Sequence, residues 1–176
     1  MKAFKYILFL LLIAVIGIAI YVAVQPNSFE VTRTRTIKAP SAVVYNNIID
    51  YKNWESWSPW VEKEPSTIIT LSEQTKGVDG SYSWIDKQQM QFADFSPSEI
   101  NWTFETNDDG TTKTTWTISG KDLPFGFKAF AAFSGGMEKQ IGPDFERGLE
   151  KLDSVVVASM KVYSIKVNGI TQHSGG

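Results

Sequence analysis

The chain contains no cysteine. That excludes disulfides, thiol nucleophiles, cysteine zinc sites and a lipoprotein cysteine. It has one histidine, His173, close to the C-terminus. No His–carboxylate dyad and no histidine metal site can be assembled around one such residue. No metal and no cofactor is therefore expected, and no catalytic set is assigned. A basic excess is also missing. Beyond Val24 there are 15 bases against 19 acids, so the body of the protein stands at −4. Nucleic-acid binding wants a basic face, and none is expected here. Internal repeats, low-complexity tracts and glycine-rich phosphate loops are absent as well.

What the chain has in quantity is apolar and aromatic carbon. Ile7 to Val24 is eighteen residues without a charge, thirteen of them Leu, Ile, Val or Phe. At 1.5 Å per residue it reaches roughly 27 Å, close to the hydrocarbon thickness of a bilayer. Those thirteen side chains favour insertion by about 4 to 8 kcal/mol. The run is longer than a signal-peptide core of about 7–15 residues, and no clean small-x-small site follows it. An uncleaved anchor over residues 1–26 is the expectation, touching lipid through residues 4–24; a cleaved signal peptide is the alternative. Lys2 and Lys5 favour an N-terminus in the cytoplasm and a globular part outside it. Arg33, Arg35 and Lys38 on the other flank weaken that bias.

The second feature is Asn53–Trp60, NWESWSPW. It holds three of the six tryptophans, each three residues from the next. In a helical or 3₁₀ turn, positions i, i+3 and i+6 share a side. Trp54, Trp57 and Trp60 are expected to line one surface, with Pro59 ending the regular part.

Around this motif the pattern is mixed. Phe29–Ile37 alternates and reads as a strand, its arginines marking an edge or solvated position. Pro40 or Ser41 opens a helix that buries Val44 and Ile48. Thr67–Leu71, Ser81–Ile85, Gln88–Phe95, Glu99–Glu105 and Thr111–Ser119 then read as strands with short turns between them, hence an antiparallel meander. Large residues repeat on one side: Tyr82 with Trp84, Met90 with Phe92, Ile100 with Trp102 and Phe104, Trp116 with Ile118. A helical stretch comes next. Phe127, Phe130 and Phe133 form a stripe, Gly135-Gly136 interrupts it, and Gly142-Pro143-Asp144 marks a restart. Phe145, Leu149, Leu152, Val155, Val156 and Met160 make a long ridge. The fold class is therefore α+β, an antiparallel sheet wrapped around a long C-terminal helix.

This order and these words resemble the START-like, helix-grip SRPBCC superfamily in its polyketide cyclase/dehydrase-like branch. The words are IKAP (Ile37–Pro40), NWESWSPW, GSYSW (Gly80–Trp84), TTWTISG (Thr114–Gly120) and IGPDFERGLEKL (Ile141–Leu152). The domain so identified covers 27–161. An N-terminal membrane segment ahead of it is similar to one bacterial subgroup. The tail, 162–176, resembles the opening strand of a gyrase-inhibitor-like effector-binding domain, cut short; a disordered tail is the alternative.

The resemblance implies an apolar cavity for a lipid or other hydrophobic small molecule, without implying one chemistry. Candidate ligand-binding residues are Trp57, Trp60, Tyr82, Trp84, Trp102, Phe104, Trp116, Phe130, Phe133 and Met137; simple core packing is the competing explanation for many of them. Three functions stay open. One is a membrane-anchored binding domain. Another is a cyclase or dehydratase-like enzyme in which Glu55 or Tyr82 moves a proton. The third is a sensory module coupled to a C-terminal domain.

Overall fold

The computed structural model describes residues 2–76, 82–85 and 98–171, with side chains for 3–76 and 98–161. Helix α1, Lys2–Ala23, is the apolar run. It is long and apolar enough to cross a membrane, and its side chains are exposed almost throughout. The exception is Val22 near its C-terminal end, 1% exposed. Strand β1, Ser28–Ile37, is next, then α2, Ser41–Ile49. Pro40 supplies an extended residue before α2, and Val44 and Ile48 are the face it buries.

The tryptophan motif departs from the expectation of one turn with a shared side. It is two short helices, α3 (Trp54–Trp57) and α4 (Pro59–Lys63), preceded by a 3₁₀ turn at Tyr51–Asn53. Pro59 starts a helix instead of ending one. Ser58 is extended, its hydroxyl accepts from the Val61 N–H, and Pro59 takes the first helical position. A serine cap followed by proline is a helix start, because proline has no N–H to leave unpaired there. The resulting break buries Trp57 at 1% exposure while Trp60 stays 42% exposed.

Strands β2 (Ile68–Leu71) and β3 (Tyr82–Ile85) pair antiparallel with Ile68 opposite Ile85. Strands β4 (Glu99–Thr106) and β5 (Thr112–Lys121) form a hairpin with Trp102 opposite Trp116. Strand β1 adds to the other side of β5, Ser28 opposite Lys121 and Ile37 opposite Thr112, giving the order β1-β5-β4. The expected strand Gln88–Phe95 lies outside the described residues.

Two helices complete the chain. Helix α5 is Phe125–Ser134 and ends at Gly135, whose φ of 90° is the left-handed conformation that glycine adopts freely. Helix α6, Gly136–Thr171, is continuous. It does not restart at Pro143. That proline frees the carbonyl of Lys139, an exposed residue, where water can serve it. It also runs on through 162–171, where the resemblance implied an opening strand and a disordered tail was the alternative. Met160, Tyr163, Val167 and Ile170 fit a helical period as well as Tyr163, Ile165 and Val167 fit a strand. Extending a helix already formed needs no new nucleus.

The core is α6 against the sheet and α2. Ile37, Ala39, Val44, Ile48, Trp57, Trp116, Phe145, Leu149, Leu152 and Val156 form one buried cluster. The ridge expected along α6 supplies four of these. The molecule has the helix-grip arrangement.

Strand β1 is an edge of the described sheet, as its arginines suggested, but they lie along α6 and not free in solvent, Arg33 21% and Arg35 40% exposed. They share the face of Val31 and Ile37, and α6 lies over that face. Arg33 donates to Glu146 and Glu138, both at 2.6 Å, and Arg35 donates to Asp153 at 2.9 Å. Gly142 makes room for this: a Cβ there would collide with the Arg33 guanidinium. The two glutamates hold the Arg33 pKa above its ordinary value.

Candidate functional site: an aromatic-walled cavity

The tryptophan end of the domain is a stack of rings. Phe145 on α6 lies flat on Trp116 of β5, centroids 3.8 Å apart at 9°. Trp102 of β4 covers the other face of that stack at 4.6 Å and 17° from Trp116. Trp57 stands edge-on to Trp102 and Trp116, at 6.1 and 5.8 Å. Gly148 permits the close approach of the helix, since a Cβ there would lie 2.9 Å from Trp116 and 3.3 Å from Pro59. Edge-to-face and offset contacts of this kind add to the area the rings bury. The indole N–H groups of Trp57 and Trp116 are buried without a hydrogen-bond acceptor among the described residues. Trp54 differs, donating to the Ile48 carbonyl at 2.7 Å.

Beside the stack the packing stops. A cavity of about 490 Å³ opens between the tryptophan motif, the sheet and α6. Trp116 and Ile118 of β5 and Ile100 of β4 form one wall. Ile141 and Phe145 of α6 form the second. Trp54, Ser58, Trp60, Val61, Lys63, Glu64 and Thr67 form the third. The lining is mostly carbon. Its two described ionisable groups are engaged, Lys63 with the buried Asp144 and Glu64 with the Ser66 hydroxyl.

The third wall carries ion pairs to α6 beside its ring contacts. Glu62 of α4 receives two hydrogen bonds from Arg147 of α6, at 2.7 and 3.0 Å, and lies 3.4 Å from Lys151. Lys63 pairs with Asp144. Hydrogen bonding to Arg147, with help from Lys151, lowers the Glu62 pKa to about 2. At the base of this wall burial raises the Asp50 pKa, but hydrogen bonds from Thr75 and the Lys52 N–H, with Lys76 nearby, outweigh it and leave it lowered.

A second hollow, about 420 Å³, lies at the other end of the domain. Tyr21 and Gln25 at the end of α1 and just beyond it, Phe29 and Glu30 of β1, Phe127 and Lys128 of α5, and Met137 border it.

The ten residues singled out from sequence separate in space. Trp60 and Trp116 are on the cavity wall. Trp57 is buried behind it at 1% exposure. Trp102 packs on Trp116, and Phe104 stands edge-on to Tyr45 at 5.9 Å. Phe130 and Phe133 are exposed on α5, and Met137 borders the second hollow. The side chains of Tyr82 and Trp84 lie outside the described residues, although their strand is in place. Glu55 is exposed, on the outside of α3. Sequence reasoning passed over Ile100, Ile118, Ile141 and Phe145 as liners. They belong to the same sheet face and helix ridge, but which members of a continuous apolar face border a void depends on how the elements dock.

No curated protein matches the chain. Among solved structures, TTHA0849 from Thermus thermophilus is similar at 19% identity, covering 74% of this chain and 99% of its own, with a TM-score of 0.47. A family model described as polyketide cyclase / dehydrase and lipid transport matches residues 37–150, from the end of β1 into the middle of α6. That span holds the tryptophan motif and every described wall of the cavity, and on it the chain belongs to the polyketide cyclase/dehydrase and lipid transport family.

Proposed function

We propose that this chain is a membrane-anchored domain that binds a hydrophobic small molecule or lipid in the cavity between α4, the β4–β5 hairpin and α6. The cavity itself carries the reading. Its volume lies within the roughly 300–1,000 Å³ of ordinary ligand pockets, and such pockets are mostly apolar with a few polar groups. The burial of Val22 and the contact of Tyr21 with Phe133, 6.2 Å between centroids, support an α1 that stays attached as part of the domain. The lysines ahead of the apolar run favour a cytoplasmic N-terminus and a domain on the far side.

A cyclase or dehydratase needs a group on the wall that is free to move a proton. The engagement of Lys63 and Glu64 favours binding over that chemistry. A sensory role is supported by one observation: α6 runs unbroken from the cavity wall to Thr171.

The test uses the full chain extracted in mild detergent. Native mass spectrometry should find a co-purified apolar molecule, and a fluorescent fatty acid or phospholipid should be taken up. Ile118→Trp, which fills the cavity, should weaken uptake about tenfold or more, the equivalent of about 1.4 kcal/mol. An empty protein that takes up no probe would end the proposal.

A further inference from the structure

Helix α5 carries phenylalanines that the domain does not bury. Phe125, Phe130 and Phe133 are 55%, 38% and 67% exposed. At about 100° per residue they fall with Gly126 on one side of the helix. The other side, with Phe127, Ala131 and Ala132, borders the second hollow, and Phe127 stacks on Phe29 at 5.7 Å. Between Phe125 and Ser134 there is one charge, Lys128, and no acid. Single exposed apolar residues need no explanation, but three large rings on one helix face do.

Their position indicates what covers them. Helix α5 packs against α1. The Phe133 ring stands 6.2 Å from Tyr21, which lies in the last turn of α1. The exposed face therefore adjoins the point where the apolar helix ends. Tyrosine and phenylalanine at such a level are what a membrane boundary favours.

We infer that α5 is an interfacial helix whose Phe125–Phe130–Phe133 face lies in the headgroup boundary of the leaflet where α1 ends, so that the domain rests on the bilayer. The inference depends on α1 crossing the membrane as proposed above. It fixes the domain's orientation. Ser28 and Lys121 are at the membrane end of the sheet, and the Asn107–Gly110 turn is at the far end of ten-residue strands, roughly 30 Å away.

The absence of cysteine makes the test direct. Single-cysteine variants Leu12→Cys, Phe133→Cys and Asp108→Cys of the full chain carry a nitroxide label in nanodiscs of phosphatidylethanolamine and phosphatidylglycerol. All three positions are exposed, so the fold should tolerate them. Relaxation by oxygen and by a water-soluble nickel chelate reads depth. The expected result is a loss of chelate accessibility and a gain of oxygen accessibility at 12 and 133, with the reverse at 108. A label at 12 in lipid with the label at 133 as wet as that at 108 would overturn the inference and leave the span standing. A label at 12 outside lipid would remove the span and the inference with it. Shielding of 133 from both reagents, or dipolar coupling between labels of two chains, would assign this face to a second copy instead.

Discussion

The domain has two aromatic clusters with opposite fates. Trp57, Trp116 and Phe145 at one end are 1% exposed and lie ring against ring with Trp102. Phe125, Phe130 and Phe133 at the other end are 55%, 38% and 67% exposed. The side chains are of similar size and hydrophobicity, so they do not decide the outcome. The first cluster has a surface on every side: β4, β5, the tryptophan motif and an α6 notched by Gly148. The second has the domain on one side only. Aromatic richness means core in one place and an unfilled contact in the other.

The largest expected effect tests this contrast directly. Trp116→Ala removes the ring sandwiched between Trp102 and Phe145. Its cost should be about 3–5 kcal/mol, the range for deleting a large buried aromatic. Phe133→Ala should fall within about 0.5 kcal/mol in detergent, as exposed substitutions do. Denaturant unfolding followed by circular dichroism measures both. Equal effects would mean that the two clusters are not physically different.

A smaller effect separates two glycines on α6. Gly148→Ala places a methyl group 2.9 Å from the Trp116 ring, which is stacked between Trp102 and Phe145, and 3.3 Å from the rigid Pro59 ring. Overpacking of this kind costs about 1–3 kcal/mol, against at most about 1 kcal/mol gained in helix propensity. Gly142→Ala meets the end of the Arg33 side chain, which can swing aside at the expense of exposed ion pairs worth little. The first substitution should destabilise and the second should be nearly neutral. Thermal midpoints of the two variants, compared side by side, check the order.

Much of this was legible in the sequence, for reasons that particular residues make plain. The alternation in β1, β4 and β5 and the ridge from Phe145 to Val156 are long periodic patterns, and they gave the sheet, the helix and their contact. Arg33 and Arg35 share a face with Val31 and Ile37, but arginine in a strand suggested an edge or solvated position, because the helix that lies along that face is far away in sequence. Their partners, Glu138, Glu146 and Asp153, sit at helical spacing on α6, but pairing two segments over a hundred residues apart requires knowing how they dock. The split of the tryptophan motif turned on Ser58-Pro59, which caps a new helix only if Trp60–Lys63 continues as one. Which rings border the void was not readable at all. Trp57 and Trp60 have the same kind of neighbours in sequence, and only the direction of a two-helix kink sends one inward and leaves the other 42% exposed.

Trp60 is thus intermediate between the two clusters, and the smallest predicted effect concerns the wall that carries it. Helix α4 meets α6 through the bonds from Arg147 to Glu62 and through the Trp60 ring against Phe145; of its own residues only Pro59 is buried. The Glu62 pKa falls from an ordinary 4.5 to about 2 in the folded protein. A lowered carboxylate contributes its full share above the ordinary value and loses it as pH falls through the folded one. The wall should therefore stay closed through neutral pH and loosen between about pH 4.5 and 2. Because the pair is exposed, the global unfolding midpoint should barely move. Amide exchange at Trp60–Glu64 should quicken locally. Glu62→Gln at pH 7 should reproduce the acid behaviour, and high salt should do so in part. Exchange in α4 that is unchanged in Glu62→Gln would mean that packing of Trp60 on Trp116 and Phe145 closes the cavity unaided, making this wall as rigid as the ring stack behind it.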